Sequence, residues 1–326
     1  MKIEQQNILF FPRTMKLGGT EKVVLQLCEI MKDKADKIIV CSSGGVNTER
    51  LKELGVKHYT IPDIECKSPK VIIDTIRKLR YIIKKEKISV IHTHHRMAAF
   101  YTRILTMFNK ICFINTSHNT FTDKKFFTRF AFKKANLIAC GGMVKKNLMD
   151  VYGFSDDQVT VVHNGIEEFN ETVIEIPELT KLKADGYILV GNIGRLSEQK
   201  GMEYFIQSYP EVKKKNSNVK YIIVGDGEDK DKLKQLVKEL NADNDVIFLG
   251  YRNDIQNVMS QLDFIVLSSL WEGFPLTPIE AFSVKKTVIA TAVDGTVEIV
   301  DDRKNGFLVE SKNPQVIADR IIELCN

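Results

Sequence analysis

Short runs of β-branched and aromatic residues alternate with stretches of helical period along the whole chain, and that alternation leaves few folds open. In the first half the runs fall at 7–11 (NILFF), 37–41 (KIIVC), 57–60, 88–92 (ISVIH), 111–115 (ICFIN), 136–140 (NLIAC) and 159–162. Between them, helices are expected near 20–33, 47–54, 69–86, 96–108, 123–134 and 142–151. The runs are continuously apolar, the mark of strands covered on both faces in a parallel sheet with helical crossovers.

The pattern breaks at HNGIEEFNETVIEIPELTKLKADG, residues 163–186, which is turn-rich and acidic and lacks a clear period. It then restarts, with strands expected at 187–192 (YILVGN), 220–224 (KYIIV), 246–249 (VIFL), 263–267 (DFIVL), 287–290 (TVIA) and 306–309. Helices are expected near 201–214, 229–241, 252–261, 276–284 and 313–325. The reading is an α/β chain of two doubly wound, Rossmann-like domains: 1–165, a connection over 166–186, and 187–326. A length of 326 residues suits two domains.

No apolar run reaches the roughly 18–20 residues of a membrane-spanning helix, and the start turns polar at Pro12 and Arg13. Six scattered cysteines, Cys28, Cys41, Cys66, Cys112, Cys140 and Cys325, form no CxxC pair and read as free core thiols in a reducing cytosol. Net charge is +5, with most of the excess in residues 1–165.

In open α/β sheets chemistry sits in the loops at the carboxyl ends of the strands, and a cleft between two such sheets is the natural place for a substrate. The first loop, PRTMKLGGTEKVVLQL, sets Gly18 and Gly19 before a helix, with Thr20 as its candidate cap. Glycines allow close backbone approach and a helix N-terminus favours phosphate. A dinucleotide fingerprint lacks its third glycine both here and at GDGEDK, 225–230, and no Walker loop is present. GNIGRLSEQKG, 191–201, carries Arg195 and Lys200, two cations able to grip adjacent phosphates.

SSLWEGFPLTPIE, 268–280, joins the end of a buried strand to a helix start, with Glu272 on the loop and Glu280 about one turn inside the helix. Amides around Phe274, Pro275, Leu276 and Thr277 suit a phosphate. Glu280 suits a vicinal diol such as ribose.

EGFPLTPIE is a Glu-x7-Glu motif and resembles the signature of the retaining GT-B glycosyltransferases of family 4. Its companions agree in order and spacing: GGTEKVVLQL, INTSHNTF, VVHNGIE, GRLSEQKG, IIVGDGE, VIFLGYRNDI, GTVEIV and NGFLV. The match spans residues 8–310. The resemblance implies two Rossmann-like domains facing a central cleft, with acceptor on the first and nucleotide sugar on the second. It also implies that Arg195 and Lys200 hold the donor diphosphate, Glu280 the ribose and Glu272 the donor sugar. Phe274 to Thr277 would form the phosphate turn, and Gly18 and Gly19 the loop closing over the diphosphate. His118 would approach the anomeric carbon, and the backbone around Tyr251 and Arg252 would lie beside the base. No carboxylate is an obvious covalent nucleophile, so front-side attack is the implied route. The nucleotide is expected to be uridine rather than guanosine diphosphate, and no metal or other cofactor is expected. The family usually continues for some tens of residues beyond NGFLV, with a helix crossing back to the first domain. Here that element is either absent or truncated.

IHTHH places His92 and His94 on one strand face, but no nearby Cys, Asp or Glu completes a zinc site. His94 is read as an acceptor contact. DKD at 229–231 reads as acids at a helix start rather than a metal motif. FTDKKFFTRFAFKK, 121–134, interleaves five aromatics with five cations, and 67–87 is a second cationic helix. Lys124, Lys125, Phe126, Phe127, Arg129, Phe130 and Lys133 suit an anionic membrane surface; the competing reading folds the aromatics into the core. Nucleic acid is disfavoured, since no binding motif accompanies the charge.

The expected activity is transfer of a sugar from a nucleotide donor to a hydroxyl of a lipid-linked glycan in cell-surface polysaccharide synthesis. The expected location is cytoplasmic, at the inner face of the plasma membrane. Two alternatives remain: a nucleotide-sugar epimerase or hydrolase of the same fold, and a weakly active sugar-nucleotide-binding subunit needing a partner.

Overall fold

The computed structural model describes residues 3–107, 110–170 and 172–326. Phe108, at the end of an expected helix, and Glu171, in the expected connection, lie outside the described residues. The chain divides into two units, Met1–His163 and Asn164–Asn326.

The first unit holds seven strands: β1 (Asn7–Phe11), β2 (Lys37–Ser42), β3 (Lys57–Thr60), β4 (Val90–Thr93), β5 (Cys112–Ser117), β6 (Asn136–Ala139) and β7 (Val159–Val161). They are all parallel, in the order β3-β2-β1-β4-β5-β6-β7. Its helices are α1 (Gly19–Met31), α2 (Thr48–Glu53), α3 (Pro69–Glu86), α4 (Arg96–Leu105), α5 (Lys125–Phe132) and α6 (Gly142–Asp150). Successive strand residues face opposite sides, so β1 sends Leu9 and Phe11 to one core with Leu79, Ala98 and Tyr101 of α3 and α4. Ile8 and Phe10 go to the other, with Val24 and Cys28 of α1 and Leu51 of α2. The α3 start follows from its sequence: Ser68 accepts a hydrogen bond from the Val71 amide, and Pro69 occupies the first helical position.

The second unit holds α7 (Pro177–Ala184), β8 (Ile188–Ile193), α8 (Met202–Lys215), β9 (Val219–Val224), α9 (Lys230–Glu239), β10 (Val246–Gly250) and α10 (Ile255–Ser260). It continues with β11 (Phe264–Leu267), α11 (Leu276–Ser283), β12 (Thr287–Thr291), β13 (Gly306–Val309) and α12 (Pro314–Cys325). The six strands are parallel, ordered β10-β9-β8-β11-β12-β13. One face buries Val190, Tyr221 and Val266 under α8, α9 and α12. The other buries Leu189, Ile222 and Ile265 beside α7, α10 and α11.

The stretch expected to connect two domains belongs instead to the second unit. Ile174 and Ile176 donate their amides to Asn257 Oδ1 and Gln261 Oε1, both at 2.8 Å. Pro177 then opens α7, whose Leu179 is fully buried. Only Ile176, Leu179 and Leu182 carry that helix's apolar face, so its acidic surroundings hide the period.

Each sheet is secured at the amino ends of its strands by a buried carboxylate. Glu86 pairs with Lys57 at 2.8 Å and Lys37 at 3.0 Å, at the starts of β3 and β2. Asp245 pairs with Lys220 at 2.6 Å and Lys213 at 2.8 Å, and accepts from the Tyr209 hydroxyl. Burial works against the Asp245 anion, but hydrogen bonds from Lys213, Lys220 and Tyr209 prevail and hold its carboxyl down at about 2.

The thiols are less uniformly internal than their apolar sequence neighbours imply: Cys28, Cys41 and Cys140 are buried, Cys112 and Cys325 half-buried, and Cys66 exposed. Cys66 follows the β3 strand in an irregular segment, which brings it to the surface. No helix among the described residues is long and apolar enough to cross a membrane.

Candidate functional site

The strand orders place a topological switch between β1 and β4 in the first sheet, and between β8 and β11 in the second. Each opens a crevice beyond the strands' carboxyl ends. The singled-out residues gather there.

In the second unit, Arg195 is exposed on the loop after β8, and Lys200 closes a short 3-10 turn, Glu198–Lys200. Glu272, on the loop after β11, is 5% exposed. Lys200 Nζ lies 2.5 Å from Glu272 Oε1, and the Ser269 hydroxyl donates to the same oxygen at 2.7 Å. The two groups assigned to different parts of a donor are thus joined to each other here. Glu280 is buried in α11, one turn inside the helix. Pro275 caps that helix without an N–H, so the amides able to serve an anion are those of Phe274, Leu276 and Thr277. Arg252 gives its guanidinium to Asp254 in two bonds of 2.8 and 2.6 Å. Its side chain is therefore spent at the start of α10, and only the backbone around it remains for a base.

The loops of this edge are laced backbone to backbone. Leu196 N–H donates to Asp226 O, and Asp229 N–H to Leu196 O, both at 3.0 Å. A Cβ on Gly225 would meet Gly194 O at 1.8 Å, one on Gly201 would meet Ser268 O at 2.4 Å, and one on Gly295 would meet Gly273 O at 1.8 Å. Only glycine admits such approaches. Asn192 Nδ2 donates to Ser268 Oγ at 2.9 Å and Asn164 Nδ2 to Phe274 O at 3.1 Å. Sequence reading quoted Ser269, Asn164 and Gly295 within motifs and gave them no task; Ser269 bonds Glu272, Asn164 bonds the Phe274 carbonyl and Gly295 packs against Gly273.

In the first unit, α1 begins at Gly19 with Gly18 as its extended N-cap and no side-chain cap bond, so Thr20 lies inside the helix rather than capping it. The Met15 amide donates to Gly44 O at 2.9 Å, and a Cβ on Gly45 would meet the Met15 carbonyl carbon at 2.3 Å, which fixes the glycine loop's approach. His92 and His94 do share a face, with ring centroids 4.3 Å apart. His94 is 4% exposed, and its Nδ1 lies 3.0 Å from Nε2 of half-buried His118. Burial lowers all three imidazoles: His92 to about 3, His94 well below its ordinary value and His118 to about 4, so all are neutral at pH 7. The His94 nitrogen left for the expected acceptor contact, Nε2, is buried. Among the described residues no three His, Cys, Asp or Glu side chains gather as a metal set.

On α5 the aromatics divide between surface and core. Phe126 is 88% and Phe130 41% exposed, flanked by exposed Lys124, Lys125, Arg129 and Lys133. Phe132 is buried, and Phe127 stacks on Phe100 at 5.2 Å, turning it inward and removing it from a surface role.

Comparison with known proteins agrees with this geometry. The Glycosyltransferase Family 4 model matches residues 17–168 and the Glycosyl transferases group 1 model residues 178–326. An Escherichia coli UDP-Gal:alpha-D-GlcNAc-diphosphoundecaprenol alpha-1,3-galactosyltransferase is 27% identical over 90% of this chain and 81% of its own. A Campylobacter jejuni N-acetylgalactosamine-N,N'-diacetylbacillosaminyl-diphospho-undecaprenol 4-alpha-N-acetylgalactosaminyltransferase is 25% identical over 94% of this chain and 87% of its own. Among solved structures, HepE of Anabaena in complex with UDP-glucose superposes with a TM-score of 0.82 at 23% identity, covering 98% of this chain and 90% of its own.

Proposed function

Since the chain belongs to the family-4-type glycosyltransferases of GT-B fold and is a hexosyltransferase-type enzyme, we propose that it transfers a sugar from UDP, with retention of configuration, to a hydroxyl of a lipid-diphosphate-linked glycan. The observation that carries the reading is the Lys200, Glu272 and Glu280 constellation at the switch of the second sheet, one cation and two buried carboxylates around a helix start. Uridine is supported by the names of the Escherichia coli enzyme and of the Anabaena complex. The lipid-linked acceptor is supported by the diphosphoundecaprenol in the names of both bacterial relatives.

In this reading Glu280 accepts from the ribose diol, and the amides of Phe274, Leu276 and Thr277 take the phosphates. Lys200 leaves Glu272 for the diphosphate, which releases Glu272 to accept from a donor-sugar hydroxyl. Arg195 and Lys200 neutralise the charge that develops on the leaving diphosphate, so the reaction calls on no metal. His118 donates to the sugar near the anomeric carbon. The leaving phosphate takes the acceptor's proton as the new bond forms on the same face.

The exposed face of α5 supports docking on an anionic membrane, where an enzyme taking a lipid-linked acceptor must work. Thermal shifts with nucleoside diphosphates, followed by transfer from UDP-sugars to a synthetic polyprenyl-diphosphate sugar, test the reading. Stabilisation by UDP and acceptor-dependent product are expected. Equal sugar release with and without acceptor points instead to the hydrolase or epimerase, and no stabilisation by any diphosphate overturns the donor site.

A further inference from the structure

A file of rings runs through the first sheet to its carboxyl edge. Phe10 on β1 and His92 on β4 are register partners, with centroids 5.6 Å apart. His94 follows at 4.3 Å from His92, and His118 at 5.3 Å from His94. His92 Nε2 bonds the Thr116 hydroxyl at 2.7 Å, and the His94 backbone amide donates to Phe11 O at 3.2 Å. The His94 ring thus lies among those of Phe10, His92 and His118, and among the described residues its one polar contact is Nδ1 to His118 Nε2 at 3.0 Å.

That contact has a proton in it, and the surroundings decide whose. A neutral imidazole carries one N–H. The other His94 nitrogen, Nε2, is buried with no hydrogen-bond partner among the described residues. A proton there would be an orphaned donor, the costlier kind of buried polar atom, whereas a bare lone pair is tolerated. The His94 proton therefore belongs on Nδ1, where it is donated to His118 Nε2. His118 is left with its own proton on Nδ1.

We propose that His94 is a positioning residue that fixes His118 as the Nδ1–H tautomer, so that His118 meets the sugar substrate as a neutral, directional hydrogen-bond donor. The proposal rests on the reading of His118 as a substrate contact. Without His94 the His118 ring would sample both tautomers, only one of which presents a proton at Nδ1.

Long-range 1H–15N NMR of the full chain labelled on histidine nitrogens tests it, with His118→Gln assigning the signal. His118 is expected protonated on Nδ1 in the wild type. His94→Asn, whose amide stands near the former Nδ1 and can donate, is expected to keep that tautomer and most of the turnover. His94→Leu is expected to give a tautomer mixture and to lower kcat about tenfold while donor KM stays within about twofold, as for loss of one oriented hydrogen bond. A His118 proton on Nε2 in the wild type overturns the proposal, as does a Leu variant with unchanged tautomer and kcat, or an Asn variant as impaired as Leu. The wild-type spectrum needs neither variant to fold nor any transfer, so a failure of the pair is distinguishable from a failure of the proposed reaction.

Discussion

Lys200 and Glu272 stand 72 residues apart and meet as an ion pair of 2.5 Å at the junction of two strand-to-helix loops. Each holds the other where a charged ligand is expected to displace one of them. The pair ties the two loops together, and in the proposed reaction it is a placeholder that keeps a cation and a carboxylate ordered until substrate arrives.

Lys200→Ala should lower kcat by roughly 10²–10³ while changing UDP affinity far less, because the charge it meets grows in the transition state. It also strands a buried carboxylate, at a stability cost of roughly 2–3 kcal/mol, the low end for a broken buried pair because Lys200 keeps 18% of its side chain exposed. Adding Glu272→Gln should restore the melting temperature without restoring turnover. Equal losses in kcat and UDP affinity would reduce Lys200 to a binding residue.

Gly295→Ala should destabilise by roughly 1–3 kcal/mol, since its Cβ would overlap Gly273 O at 1.8 Å and a backbone carbonyl cannot swing aside as a side chain does. UDP binding by titration calorimetry should weaken with it, because Gly273 adjoins Glu272. Unchanged binding would separate that loop from the donor site.

Asp245 predicts an acid-sensitive window. Its folded value, about 2, lies below the ordinary 3.8, so its contribution is fully present above 3.8 and is lost as pH falls through 3.8 toward 2. Urea unfolding should show up to about 2 kcal/mol disappearing there. Asp245→Asn should lower stability at pH 7, leaving Lys220 buried beside a neutral amide, and should flatten that window. A variant with the wild-type acid slope would assign the loss to other carboxylates.

Changing Lys124, Lys125, Arg129 and Lys133 together to Gln should weaken partitioning onto anionic vesicles, read by co-sedimentation, on the order of a thousandfold, from about 1 kcal/mol per cation near the surface. Phe126→Ser should weaken it further without lowering the melting temperature, because that ring is 88% exposed. Equal solubility of wild type and variants in the presence of vesicles would remove the membrane from the reading.

The strands were legible because parallel, doubly covered strands spell themselves as apolar runs: NILFF and VIFL fall where β1 and β10 lie. The family motif marked Lys200, Glu272 and Glu280 one by one. What it did not show was their pairing, since a contact across 72 residues has no local signature. His94 and His118 were hidden in the same way: alternation on one strand aligns His92 with His94, but nothing in it reveals which ring arrives from the next strand. On α5, eight residues are too few for a clear period, so Phe126 and Phe127 looked alike until one packed against Phe100. Gly295 looked like looseness and is a point of forced contact.

In both units the ions that secure the sheet, around Glu86 and Asp245, sit at the amino ends of the strands, and the groups proposed to read substrate sit at the carboxyl ends. Laboratory evolution toward another sugar can therefore spend its mutations on one rim and recover lost robustness on the other. A library that randomises the residues flanking Arg195 and Trp271, paired with a fixed set of reinforcing changes around Lys37, Lys57 and Lys213, would explore new specificities from a chassis whose melting point is defended elsewhere.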